Sequence, residues 1–370
     1  MNKHIPLRTD RLRPSGLARW TRRMLTALLG LLALVALPAH AGVCTYLPGT
    51  PTFFTAVSNI VGSVTVGRDV PVGAVIYQAT FHGTSPEGVT CTAGTYTSTR
   101  RYVSLPHPLS SYVDPKYGNR VYETSVPGIG AVVWYSGNAF PYTFGPYTTT
   151  NTTNVGTAAA FDISLIKIGP VGAGTIRGSD LPTFEYVQFG DNTLRMELGS
   201  FSGAINIVSR TCTTPDVTVN MGTHYTKELT GIGSSTDKWI DVPISLNNCP
   251  AFFGAFRGAI TDNNGVAERS TPNQISNRVD PVTSVVNPAQ GVMALQPDGV
   301  NPTAQGIGIQ LVDAGDNPVS YGNMRASGLA LNQVDGSSYT ISLKARYYQT
   351  EATTAAGQAN GAATVTLIYN

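Results

Sequence analysis

The sequence predicts an all-β chain built as two sandwich domains, and three observations carry that reading. Short segments alternate apolar and polar residues, as in Tyr339-Thr-Ile341-Ser-Leu343-Lys-Ala345-Arg-Tyr347. A period of two places one side of a strand against a core. Clusters of Gly, Pro, Asn and Asp divide these segments at sandwich spacing, and the chain holds 39 Gly and 24 Pro. No long segment repeats with a helical period, and only 12% of the 370 residues are charged.

Residues 1–41 read as a signal peptide and stand outside either domain. Six arginines and a lysine precede the apolar run 25–37, and Ala39-His40-Ala41 supplies the small residues of a cleavage site. A run of about thirteen residues is too short to cross a bilayer as a helix. Removing the seven basic residues and Asp10 turns the formal charge of +2 into −4. Nothing basic then remains to indicate nucleic acid or an anionic membrane as a partner.

All four cysteines lie beyond the cleavage site. Their spacing is not that of a zinc site, and export favours disulfides. One pair falls in each half, so Cys44–Cys91 and Cys212–Cys249 are the expected bridges. The histidines left after cleavage, His82, His107 and His224, are scattered, and no metal set is expected. The chain has no GxSxG elbow, HExxH, P-loop or dinucleotide fingerprint, so neither a catalytic residue nor a cofactor is expected.

The organisation expected after cleavage is a first domain over 42–202 and a second over 203–370. Expected strands of the first are 61–66, 71–77, 121–126, 131–135 and 161–166. Those of the second are 204–208, 212–222, 240–249, 306–311, 318–322 and 339–347. The final expected strand sets Ala363, Val365, Leu367 and Tyr369 on one face and Thr364, Thr366 and Ile368 on the other.

Residues 203–370 resemble, along their whole length, the pilin domain of the chaperone–usher (type 1) fimbrial family. The ordered matches run from Cys212 and Met221-Gly222 through Trp239 to Cys249, the 306–311 run, Asp313 and Pro318-Val319. They end on Leu343-Lys-Ala-Arg-Tyr347, Gly357, Ala363-Thr-Val365, Leu367 and Tyr369. The resemblance implies an immunoglobulin-like sandwich lacking its seventh strand. A periplasmic chaperone, and then the adjacent pilus subunit delivered at the outer-membrane usher, would supply that strand. It further implies that Gly357, Ala363, Val365, Leu367 and Tyr369 form the zipper face, with Asn370 anchored by basic residues of the chaperone.

The first half resembles the N-terminal domains of fimbrial tip adhesins through Asp69-Val-Pro-Val-Gly-Ala-Val75, the 122–130 element and the 165–176 element. Cys44 lies two residues past the cleavage site. The resemblance implies that stackable subunits carry a donor arm ahead of the first domain; none is expected ahead of Cys44, so the expected position is the pilus tip. The implied role is attachment to a surface receptor, with a carbohydrate as the expected class; the alternative is a non-adhesive tip or initiator subunit. Gly42 and Thr92-Ala93-Gly94 stand where a mannose-specific relative carries aromatic, amide and acid groups, so mannose is not carried over.

Sugar recognition needs aromatic faces and amide or hydroxyl groups. The run Trp134-Tyr135-Ser-Gly-Asn138-Ala-Phe140-Pro-Tyr142-Thr-Phe144-Gly-Pro-Tyr147 is the richest supply. Asn138, Tyr142, Phe144 and Tyr147 are the receptor candidates. The three rings are expected on a loop because Gly and Pro surround them, and Trp134 is expected in the core. Arg100-Arg101-Tyr102 and residues 112–117 form a second candidate, with solvated loop charge as the favoured reading.

Overall fold

Alternation becomes strand pairing wherever a neighbouring strand is present to receive it. The computed structural model describes residues 42–49, 52–261 and 266–370, and the expected signal peptide, 1–41, lies outside them. Among the described residues are twenty-two strands and three short 3-10 turns, so the chain is all-β. The fifteen strands of six residues or more are numbered here in chain order. In the first half β1 is Phe54–Thr65, β2 Val75–Cys91, β3 Gly94–Ser104 and β4 Ile129–Tyr135. Then come β5 Tyr142–Thr149, β6 Thr153–Lys167, β7 Thr183–Phe189 and β8 Thr193–Val208. The second half supplies β9 Ile240–Cys249, β10 Ala255–Thr261, β11 Val266–Thr271 and β12 Ile275–Pro281. It closes with β13 Ile307–Asp313, β14 Ser337–Gln349 and β15 Ala363–Tyr369.

Two sheets share the first core. One is ordered β11-β10-β2-β6-β4 and the other β8-β7-β3-β5, with β1 parallel to β8. Inward positions carry Phe81, Phe161, Phe184 and Phe201, and the Phe161 and Phe184 rings meet edge to face at 4.7 Å. Each such ring contributes roughly 1.5–3 kcal/mol by leaving water. In the second half, the sheet β9-β14-β13 and the pair β12-β15 share another core that includes Ile244, Leu246, Val279, Leu311 and Leu343. Cys44 bonds to Cys91 and Cys212 to Cys249, one bridge per half.

The halves interlock. β8 runs past residue 202 and places Ile205 and Ile207 in the first core, whereas Cys212 belongs to the second. β10, from the second half, lies parallel to β2. Its Phe256 stacks on Tyr77 at 4.7 Å and joins the first core.

Three expected strands shorten or vanish. Residues 121–126 contribute only the two-residue strand Tyr122–Glu123. Residues 318–322 make one bridge, Val312 to Pro318. The 212–222 run forms no strand; Thr213 bridges Asn247, and the Val217, Val219, Met221 alternation has no neighbour to pair with. The expectation that Cys212 borders a strand is corrected accordingly. Arg100 corrects another expectation. It lies on β3 rather than in a solvated loop and is 3% exposed. Its guanidinium meets Glu197 at 3.0 Å and sits 4.1 Å from the ring centroids of Tyr135 and Tyr186.

Burial pushes the Glu197 carboxyl up from 4.5 to about 7, against the pull of Arg100. A folded value above the unfolded one means that the folded chain binds this proton more tightly. Its stabilising contribution is complete below pH 4.5 and is lost as the pH rises through about 7. Calorimetric melting temperature should therefore fall between about pH 5 and 8. In Glu197→Gln, which cannot titrate, the fall should be smaller; an identical pH profile in both would refute the role of this carboxyl.

Candidate functional site

Two regions concentrate unsatisfied chemistry: a cleft beside β15 and the aromatic edge on β5. The cleft encloses about 1350 Å³ in the second half. Its walls include Ile244 of β9, Ile309 of β13, Leu343 of β14, and Val365, Leu367 and Tyr369 of β15. Most of the stretch 211–226 runs along the same cleft and forms no strand.

β15 pairs with β12 on one side, and among the described residues no strand pairs with its other side. The register identifies the open groups. Asn370 and Gln274 exchange backbone hydrogen bonds, each at 3.0 Å, and Val282 donates to Ala362 at 2.9 Å. Pairing alternates along an antiparallel ladder, so residues 363, 365, 367 and 369 turn their N–H and C=O groups away from β12. The same residues supply the side chains that line the cleft. Burial raises the Tyr369 phenol above its ordinary value, with the Cys212 backbone and Thr214 opposing that shift.

The residues nominated on this strand thus come together. Tyr369 is 5% exposed, and Val365 and Leu367 pack against the second core. Ala363 lies at the cleft rim and is exposed. Gly357 fits where its backbone passes close to residues 302–304; a Cβ there would stand 2.5 Å from Pro302 O and Ala304 N. Asn370 is exposed and also accepts from the Asn273 side chain at 3.2 Å.

The receptor candidates divide. Tyr142, Phe144 and Tyr147 lie on the outer strand β5 and not on a loop, paired with Arg100, Ser98 and Tyr96 of β3. An outer strand tolerates Pro146 because it needs ladder bonds on one side only, and the register shifts between Tyr96 and Ser98. Tyr142 is half-buried and packs on the first core, 5.9 Å from the Phe140 ring. Phe144 is 64% exposed, with its ring 5.9 Å from that of Tyr147. The Tyr147 hydroxyl accepts from Gln188 at 2.6 Å, and Ser98 donates to the same glutamine at 2.7 Å. Asn138 is exposed but belongs to the opposite sheet, beside β4. Trp134 is half-buried; its Nε1 donates to Ser164 at 3.0 Å, and the Lys116 ammonium lies 4.2 Å from its ring. Sequence reasoning missed Asp69, whose carboxylate accepts the Tyr369 N–H at 3.0 Å from 300 residues away. Among the described residues no His, Cys, Asp and Glu group comes together as a metal site.

Residues 200–370 match the family model described as fimbrial protein. A type 1 fimbrial subunit of Salmonella typhimurium is 30% identical over 154 residues, 42% of this chain and 71% of that protein. The chain belongs to the fimbrial family. Residues 57–200 match a second family model, the MrkD-like receptor binding domain, which gives the chain the two-part make-up of a chaperone–usher tip adhesin. A fimbria adhesin protein of Klebsiella pneumoniae is 25% identical over 324 residues, 85% of this chain and 91% of that one. The crystal structure of a tip adhesin from Pseudomonas aeruginosa aligns over 89% of this chain and 94% of that one, at 13% identity and a TM-score of 0.35.

The placement of the β5 rings sets an expectation for stability. Phe144→Ala should stay within about 0.5 kcal/mol of the parent chain, whereas Tyr142→Ala, which removes a ring from the core edge, should cost about 2 kcal/mol. Denaturant unfolding of both variants checks the assignment, and equal losses would contradict it.

Proposed function

We propose that this fimbrial chain is a tip adhesin whose first half holds a surface receptor and whose second half joins the pilus by strand donation. The cleft beside β15 carries the reading. A cleft walled in part by Ile244, Ile309, Leu343, Val365 and Leu367 and bordered by an open strand edge suits an extended strand from another protein, through β-augmentation. Main-chain bonds to residues 363, 365 and 367 would hold that strand, and its alternate side chains would fill the cleft. In the periplasm the strand comes from a chaperone; at the outer-membrane usher the adjacent subunit replaces it, and the finished pilus carries the chain to the cell surface.

The receptor role rests on the match of residues 57–200 to a receptor-binding domain. A carbohydrate suits the exposed chemistry of β5: the Phe144 ring can cover an apolar sugar face, and the threonine hydroxyls along the same strand can pair with sugar hydroxyls, whereas Asn138, on the opposite sheet, stands apart from this site. The chain acts by binding and performs no catalysis.

Val365→Asp or Leu367→Asp places an unpaired charge where an apolar side chain lines the cleft, at a cost of several kcal/mol. Recovery of the chaperone complex from the periplasm should drop at least about tenfold. Undiminished recovery would count against the zipper assignment. Immunogold labelling of whole pili should mark the distal ends alone. Labels spread along the shaft would sink the tip role, and terminal labels with unaltered adhesion on deletion would favour an initiator of assembly.

A further inference from the structure

The open edge of β15 ends against the first half. Tyr369 is the last residue of the strand to turn its N–H and C=O outward, and both groups meet residues from that half. Asp69 accepts the N–H at 3.0 Å, as the carbonyl of a neighbouring strand would. Gly67 packs so closely on the carbonyl that a Cβ at Gly67 would overlap the Tyr369 oxygen. This loop is fixed in place. The buried Lys167 ammonium donates to the carbonyls of Gly67 at 3.3 Å and Arg68 at 2.7 Å. Just before the loop, the Asn273 side chain ties Thr65 to Asn370 with bonds of 2.9 and 3.2 Å. Arg68 of this loop lines the cleft.

We propose that Asp69 and Gly67 form an end stop for the strand that enters the cleft. The proposal rests on the strand-donation reading above and adds its limit: the incoming strand, an alternating apolar segment of a neighbouring subunit, pairs along residues 363–367 and cannot continue past Tyr369. The stop fixes register. A one-residue slip along β15 would turn every apolar side chain of the guest away from the cleft, and a strand that abuts a fixed loop has one place to end. It also makes the receptor-binding half part of the docking site of the pilin half.

The test uses the full exported chain and synthetic peptides of increasing length that alternate Val or Leu with Thr. Hydrogen exchange and binding affinity are the readouts. In the parent chain the Tyr369 amide should be protected with or without peptide, and the Val365 and Leu367 amides only with it. Affinity should stop rising once the peptide reaches Leu367. In Asp69→Ala the Tyr369 amide should lose about tenfold protection, and a peptide two residues longer should bind about fivefold tighter. Asp69→Asn keeps an accepting oxygen and should behave as the parent chain, which separates the stop from a general loss of folding. Affinity that keeps rising past Leu367 in the parent chain, or a protected Tyr369 amide in Asp69→Ala, overturns the stop while leaving the cleft reading intact. If no peptide protects Val365 or Leu367, the cleft reading falls and the stop with it.

Discussion

A backbone group sealed from water without a partner costs about 1–3 kcal/mol, and the outward edge of β15 presents three residues, 363, 365 and 367, whose N–H and C=O groups face an open cleft. The remaining features of the second half follow from that edge. The side chains at 365, 367 and 369 already face inward, so a guest strand of the proposed kind would complete both the ladder and the core in one step. The stretch along the cleft forms no strand, and its bridge is that of Thr213 to Asn247 near its start. The Cys212–Cys249 bridge ties the start of that stretch to the end of β9, so its entry to the core is fixed even while its middle pairs with nothing.

The first half meets a different constraint, since its interior is closed but not wholly apolar. Arg100 and Glu197 sit opposite one another through Tyr186 on three adjacent strands, with aromatic faces on the guanidinium. Ser98 of β3, Gln188 of β7 and Tyr147 of β5 form a second polar chain, two residues along from Arg100 and Tyr186. Such pairs give little net stability over apolar residues of similar size, but losing one partner strands the other in a dry interior. The edge carrying Phe144 is therefore built on a directional network that begins one residue pair away, at Tyr147.

Much of the fold was legible in the sequence because its signals are local. The 339–347 and 363–369 alternations became β14 and β15, with Val365, Leu367 and Tyr369 packed on the second core as their periodicity assigns. Where the sequence misled, the deciding partner was remote or absent. Residues 212–222 alternate like a strand but lack a neighbour. Tyr142, Phe144 and Tyr147 carry turn-forming company yet pair with β3 as an edge. Arg100 is charged and still buried, because Glu197 stands 97 residues away to receive it. Asp69 lay within a recognisable motif, but its hydrogen bond to Tyr369 belongs to the assembled molecule alone. The parallel pairing of β10 with β2 leaves no mark in either segment's pattern.

That parallel pairing has a mechanical meaning. Six residue pairs link β10 to β2, from Phe256 beside Tyr77 to Thr261 beside His82. A fibre anchored at one end and gripped at the other works under tension. If the load runs along these strands, it stretches all six pairs together, in shear, and the hydrogen bonds resist as a group. A load across them would peel the pairs open one at a time. The direction of pull, set by how the receptor seats on the first half, then decides whether the junction behaves as a rivet or as a zip.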